Sequence, residues 1–90
     1  MFEKYINRSE VISQVVNNPA DPYGPPLVKY VLRVRERETG RWYYVRVVHP
    51  RQPGRTWTYT FTTDFTYAKL MSFRTARTHQ ANMTPGILNH

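Results

Sequence analysis

The chain has 90 residues, no cysteine, and 13 lysines and arginines against 6 aspartates and glutamates, which gives a formal net charge of +7 at pH 7. This length suits one small domain with a modest core, and the absence of cysteine excludes disulfides, thiolate catalysis and cysteine-ligated zinc. No apolar run approaches the roughly 20 residues of a membrane-spanning helix and the N-terminus lacks the apolar core of a signal peptide, so we expect a soluble, cytoplasmic protein, in the host cytoplasm if it is viral.

The positive charge is concentrated in one part of the chain. Residues 1–28 carry 2 basic and 3 acidic side chains, a balance of −1, whereas residues 29–90 carry 11 basic and 3 acidic ones, a balance of +8. A field of one sign attracts polyanions, so nucleic acid, a nucleoprotein or an acidic protein surface are the expected partners, and a membrane is not.

The first predicted element is an N-terminal helix within residues 1–17. Ser9 can cap this helix, and Asn17, Asn18 and Pro19 can end it. The apolar residues share a helical face at i, i+1, i+4 and i+5, but all four are β-branched: Val11, Ile12, Val15 and Val16. An N-terminal edge strand is therefore the alternative.

Residues 18–26 follow with four prolines in nine residues, which excludes regular structure and predicts an extended, polyproline-like arm. Such an arm carries the chain across a surface, or docks on a partner through Tyr23.

Residues 27–62 predict a three-stranded antiparallel sheet, beginning with a strand from Leu27 to Arg37. Its alternation places an apolar set on the inner face (Val28, Tyr30, Leu32, Val34) and a basic set on the outer face (Lys29, Arg33, Arg35, Arg37). A two-residue Thr39-Gly40 loop predicts a hairpin with the outer pairs Arg37–Trp42, Arg35–Tyr44 and Arg33–Arg46. The inner pairs are then Glu36–Tyr43, Val34–Val45 and Leu32–Val47.

The outer face of this hairpin is the candidate binding site. Arginine guanidinium groups bind phosphates with two bonds and aromatic rings stack on bases, so we assign phosphate binding to Arg33, Arg35, Arg37 and Arg46, and base stacking to Trp42 and Tyr44. Lys29 on the strand, and Arg51 and Arg55 in the loop that follows the hairpin, extend the positive surface. The alternative is an ordinary solvated face whose arginines prevent edge-to-edge aggregation.

The third strand and a helix complete the predicted α+β domain. From Thr56 to Thr62, threonine alternates with Trp57, Tyr59 and Phe61, which predicts an inward aromatic face. Thr63-Asp64 caps a helix over residues 64–81 that covers this aromatic face, although residues 72–75 could divide it in two. Residues 82–90 form a tail.

An inventory of catalytic groups predicts no enzyme. The three histidines, His49, His79 and His90, show no spacing typical of a metal site, and the chain has no glycine loop that could hold a phosphate, so we expect neither metal nor cofactor. Glu36 and His49 lie too far apart along the hairpin to share a pocket, which argues against a metal-independent ribonuclease.

The leading hypothesis is non-enzymatic binding of nucleic acid, single-stranded or RNA in preference to duplex. The alternative is a phage-type inhibitor that occupies the nucleic-acid site of a host nucleoprotein complex, of which anti-CRISPR proteins are an example by size and charge only. A second alternative is a structural or assembly subunit, which predicts self-association, for instance as a homodimer.

Overall fold

In a computed structural model of the chain, residues 6–49 and 57–83 are described, and they form one antiparallel sheet with an α-helix on one face. Strands β1 (Ile6–Val16), β2 (Leu27–Glu36), β3 (Trp42–His49) and β4 (Thr58–Thr62) lie side by side in chain order. A 3-10 turn, Phe65–Tyr67, precedes helix α1, Phe73–Met83. The α+β class is confirmed, but the sheet has four strands where the sequence predicted three. Neither helix of the described ranges is long and apolar enough to cross a membrane.

The predicted N-terminal helix within residues 1–17 is wrong, and the alternative of an edge strand is correct. β1 pairs with β2 from Ile6, opposite Glu36, to Val16, opposite Leu27, with a bulge at Asn7. β-branched side chains lose rotamer freedom in a helix and pack well on a pleated surface, and β2 offers a full ladder of backbone partners. Residues 1–5 lie outside the described residues.

The proline-rich segment 18–26 is a compact loop and not the predicted extended arm. The Asp21 N–H donates to the Asn18 carbonyl at 3.1 Å, and the Gly24 N–H donates to the Asp21 carbonyl at 3.1 Å, which makes two successive turns. Because Val16 pairs with Leu27, the prolines must reverse the chain within this loop. Tyr23 stands at 99% exposure, and its role as an anchor stays a prediction.

The register between β2 and β3 differs by two residues from the prediction: Arg35 lies opposite Trp42, Val34 opposite Tyr43 and Arg33 opposite Tyr44. The loop is longer than the expected Thr39-Gly40 pair. Gly40 adopts a φ of 72°, which glycine tolerates, and its N–H donates to the Glu36 carbonyl at 3.0 Å. A shift of two residues preserves the faces, so Lys29, Arg33 and Arg35 remain on the outer face as predicted, whereas Arg37 lies beyond the end of β2.

Residues 69–71 fill a gap between β2 and β3. The two strands pair directly at three positions near the hairpin loop and then separate. In the gap, the Lys69 N–H donates to the Val45 carbonyl on β3 at 2.8 Å, while Met71 and Tyr30 on β2 exchange two backbone hydrogen bonds of 2.7 and 2.8 Å. The middle of the sheet is thus completed by a segment from the C-terminal part of the chain.

This segment also corrects the predicted helix over residues 64–81. Asp64 caps only the 3-10 turn, Ala68 has extended φ and ψ values, and the backbone hydrogen bonds of residues 69–71 go to the sheet. Ser72 caps α1, since its Oγ accepts from the Thr75 N–H at 3.2 Å. The predicted division at residues 72–75 is therefore misplaced, because residues 73–75 form the first turn of α1 and the non-helical segment is residues 68–71. The helix continues to Met83, beyond the predicted start of the tail, and residues 84–90 lie outside the described residues.

The core lies between α1 and the inner face of the sheet. Leu32, Val34 and Val45 are completely buried there, together with Met71, Ala76 and Met83. Tyr59 and Phe61 pack against this cluster, and the Trp57 ring meets the His79 ring at 5.1 Å. The predicted inward orientation of these β4 aromatics is confirmed.

Two polar contacts fix α1 on the sheet. The Gln80 side chain donates to the carbonyl and the hydroxyl of Ser9 at 3.2 and 3.0 Å. The Tyr59 hydroxyl lies 3.0 Å from Nδ1 of His79, which is buried, and accepts from the Asn82 amide at 3.0 Å. Burial, with a smaller effect of the Lys69 charge, lowers the pKa of His79, which favours the neutral ring.

Candidate nucleic-acid interface

The outer face of the sheet, opposite α1, carries rows of side chains that run across the strands. The row nearest the hairpin loop consists of Arg8, Arg35 and Trp42, and the next row consists of Glu10, Arg33, Tyr44 and Thr62. Because the period of a strand is two residues, members of one row point to the same side. Four of the predicted site residues, Arg33, Arg35, Trp42 and Tyr44, are therefore brought together.

Arg33 lies at the centre of these rows. Its Nε donates to Oε1 of Glu10 at 2.7 Å, its Nη2 donates to the same oxygen, and its guanidinium carbon lies 4.2 Å from the centre of the Trp42 ring. Burial lowers the pKa of Arg33, but hydrogen bonds to Glu10 and Tyr44 outweigh burial and hold that pKa above its ordinary value. The result is a fixed, planar cation stacked on an indole ring.

The cation–π pairs therefore differ from those predicted, which were Arg37 on Trp42 and Arg35 on Tyr44. The two-residue difference in register moves Arg37 into the hairpin loop, where it is exposed. Arg35 instead reaches the loop backbone, and its Nε donates to the Gly40 carbonyl at 3.4 Å.

Arg8 and Arg35 form a pair of like charges directly across from each other on β1 and β2. The predicted Arg33–Arg46 pair does not form, because Arg33 lies opposite Tyr44. The repulsion between like charges occurs at Arg8 and Arg35 instead. Like charges in a cross-strand pair are destabilising. An anion bound between the two side chains would remove that repulsion.

A second cluster of cation and aromatic rings adjoins the rows. Arg46 is exposed at a bulge in β3, and its guanidinium carbon lies 4.9 Å from the centre of the Tyr67 ring. The Phe65 ring meets the edge of Tyr44 at 5.2 Å, and Phe65 and Tyr67 are 42% and 57% exposed. These two rings are the most accessible stacking surfaces of the outer face among the described residues.

The 3-10 turn that carries Phe65 and Tyr67 is held by Asp64. One carboxylate oxygen accepts from the backbone N–H of Thr66 at 3.0 Å and from its hydroxyl at 2.7 Å, and these bonds lower the pKa of Asp64. These two hydrogen bonds stabilise the turn that presents the two rings.

The remaining predicted residues are more scattered. Lys29 is half-buried on the outer face, opposite Gln14 of β1, whereas Arg51 and Arg55 lie outside the described residues. Sequence reasoning missed Arg8 and Glu10, because the interpretation of residues 1–17 as a helix removed them from the sheet. The alternation of Arg8, Glu10 and Ile12 was the available signal.

The electrostatics of this surface favour anions. Within residues 6–49 and 57–83, Arg33 is the only arginine that forms an ion pair with a carboxylate. Arg8, Arg35 and Arg46 thus present charges that no described acidic side chain neutralises.

The groups considered for catalysis are not assembled into a site. Glu36 accepts from the Tyr43 hydroxyl at 3.4 Å near the hairpin loop, and Nε2 of His49 lies 2.8 Å from the Thr60 hydroxyl at the far end of β3. The described residues contain no group of three histidine, aspartate or glutamate side chains that could hold a metal ion.

Comparisons with protein-family models, with curated proteins and with solved structures gave no match. A small α+β domain of this kind does not by itself define a function, so function must be inferred from the chemistry of the outer face.

Proposed function

We propose that the protein is a non-enzymatic nucleic-acid-binding module that uses the outer face of its sheet. The observation that supports this proposal is the alternation of unneutralised guanidinium groups with exposed aromatic rings on one surface. Arg8, Arg35 and Arg46 would bind phosphates, because a guanidinium offers two parallel donors to phosphate oxygens. Tyr67, Phe65 and the stacked Arg33–Trp42 pair would provide flat surfaces for bases.

Single-stranded nucleic acid, RNA included, suits this surface better than a duplex. Stacking on a side chain requires a base whose flat face is free, and bases inside a duplex already stack on each other. Most of the stacking groups lie on a sheet and a short turn, and the described part of the chain offers no helix on this face that could enter a major groove.

The test is a titration of purified, nuclease-treated protein with fluorescent single-stranded and duplex oligonucleotides at several salt concentrations, followed by anisotropy and tryptophan quenching. We expect tighter binding of the single strand, an affinity that falls steeply with salt, and quenching of Trp42. Trp57 also fluoresces, so the quenching is repeated with W57F, in which Trp42 is the remaining tryptophan.

Charge-reversal variants test whether the outer face is the surface that binds the oligonucleotide. R46E changes an exposed cation of the outer face, and R74E changes an exposed cation of α1 on the opposite side of the sheet by the same amount. We expect R46E to weaken binding strongly and R74E to weaken it only slightly, and the double variant R35E/R46E to abolish binding without loss of thermal stability. Equal effects of R46E and R74E would show that total charge matters and the outer face does not.

Absence of binding even at low salt would overturn the proposal. The outer arginines would then belong to a protein contact, as in the inhibitor hypothesis, and R35E/R46E would be used to test capture of a host nucleoprotein. Self-association without oligonucleotide binding, measured by sedimentation, would favour the assembly-subunit hypothesis.

A further inference from the structure

A groove opens on the outer face at the end of the sheet away from the hairpin loop. Its volume is about 340 Å³, within the range of small-ligand sites. One wall is β1, the floor is Val31, and the other wall is the segment between the 3-10 turn and residue 70. The lining residues are Gln14, Val16, Val31, Phe65, Thr66, Ala68 and Leu70.

The groove combines apolar walls with one polar side chain, Gln14, that could form hydrogen bonds with a ligand. Val31 is 1% exposed and gives a rigid floor, while Phe65 and Leu70 remain 42% and 48% exposed at the rim. The Gln14 carboxamide has no hydrogen-bond partner within the described parts of the chain, although it carries two donors and an acceptor. A ligand with a flat apolar body and a polar edge satisfies both features.

Positive charge lies around the groove and not inside it. Lys29 lies directly across from Gln14 on β2, and Arg46 stacks on Tyr67, the neighbour of the groove residue Thr66. Phe65 belongs both to the groove and to the aromatic cluster, because its ring contacts Tyr44. The groove is therefore continuous with the surface proposed to bind phosphates.

We infer that the groove takes one unstacked base of the bound strand, with adenine preferred. This inference rests on the proposed function, since the phosphates on either side of the base would contact Lys29 and Arg46. A carboxamide donates to and accepts from the edge of adenine with two bonds, and this pairing gives Gln14 the means to select that base. The outer arginines would then supply affinity while the groove supplies base preference.

The experiment compares a short fluorescent oligouridine with the same oligonucleotide carrying one central adenosine. We expect the wild-type protein to bind the adenosine form about tenfold more tightly, in line with the discrimination of a two-bond contact. Q14L removes the hydrogen bonds and keeps the size of the side chain, and A68L fills the groove while it leaves Gln14 in place. S13A, next to Gln14 but on the inner face, is the matched control.

Q14L and A68L should lose the preference for adenosine and retain salt-sensitive binding of oligouridine, whereas S13A should keep both. Thermal unfolding of each variant checks that the fold is intact. Equal affinity of the wild-type protein for the two oligonucleotides would overturn the inference, and so would a preference that survives both Q14L and A68L. Failure to bind either oligonucleotide at low salt is a different result, because it overturns the proposed function and this inference together.

Discussion

The ion pair between Glu10 and Arg33 gives the sharpest prediction, because it holds a cation of the proposed binding surface away from phosphates. The two side chains are 39% and 29% exposed, so the pair is partly solvated and contributes about 0–1 kcal/mol to stability. E10Q removes the charge attraction that holds Arg33, and we expect the free energy of unfolding to fall by no more than about 1 kcal/mol.

Binding should change more than stability does. Release of Arg33 adds one phosphate contact, and each phosphate neutralised on a single strand steepens the dependence of log Kobs on log salt by about 0.7. A tenfold dilution of salt should then strengthen binding of E10Q by about fivefold more than binding of the wild-type protein. Anisotropy titrations with one oligonucleotide across a salt series measure this slope.

The matched control is D21N, which changes the net charge by the same amount in the loop between β1 and β2, at the far end of the sheet from Arg33. D21N should leave the slope close to the wild-type value. If E10Q and D21N steepen the slope equally, Glu10 does not restrain Arg33 and the reasoning is wrong. A shallower slope in E10Q would also refute it, since Glu10 would then be needed to position Arg33 for phosphate binding.

Three further predictions concern stacking, pH and the core. Y67A should weaken binding of single strands by about 1–3 kcal/mol, the cost of one lost stacked base. F73A removes a similarly exposed ring from α1, on the opposite side of the sheet, and serves as its control in the same anisotropy assay. Because the pKa of His79 is lowered in the folded state, the unfolded chain binds more protons below pH 6.5, so stability should be full above that pH and fall as the pH drops from 6.5 to the folded pKa. Urea unfolding at several pH values tests this, and a pH dependence unchanged in H79F would contradict it. L32A should cost about 2–5 kcal/mol in the same unfolding assay because Leu32 is completely buried, and a loss below 1 kcal/mol would show that the core collapses around the site.

The faces of the central strands could be predicted from the sequence, because a strand with one buried and one solvent-exposed face shows apolar and polar residues in alternation. Leu32 and Val34 point inward and Arg33 and Arg35 outward, as their alternation indicates. The register could not be predicted with the same certainty. It depends on whether the reversal uses two residues or four, and that choice was made by the positive φ of Gly40 and its bond to Glu36.

The rest of the candidate site depended on contacts between distant parts of the chain. β1 has apolar residues on both faces, so Val11 and Ile12 fit a helix as well as a strand until β2 is present as a partner. Ala68 and Leu70 belong to residues with good helix propensity, but the backbone bonds of residues 69–71 to the sheet override that propensity. Because this segment is not helical, Phe65 and Tyr67 are exposed, and nothing in the sequence near these two residues indicates their exposure.

The gap between β2 and β3 determines the order in which the molecule can be built. These strands form a local hairpin only near their loop, and the backbone groups of Tyr30 and Val45 find their partners in Met71 and Lys69, far later in the chain. During synthesis, these backbone groups of the hairpin therefore stay exposed to water until the C-terminal segment is available to pair with them. Closure of the sheet and formation of the outer groove both need the segment up to residue 71, so a chain that ends before residue 69 would lose both, together with the docked helix.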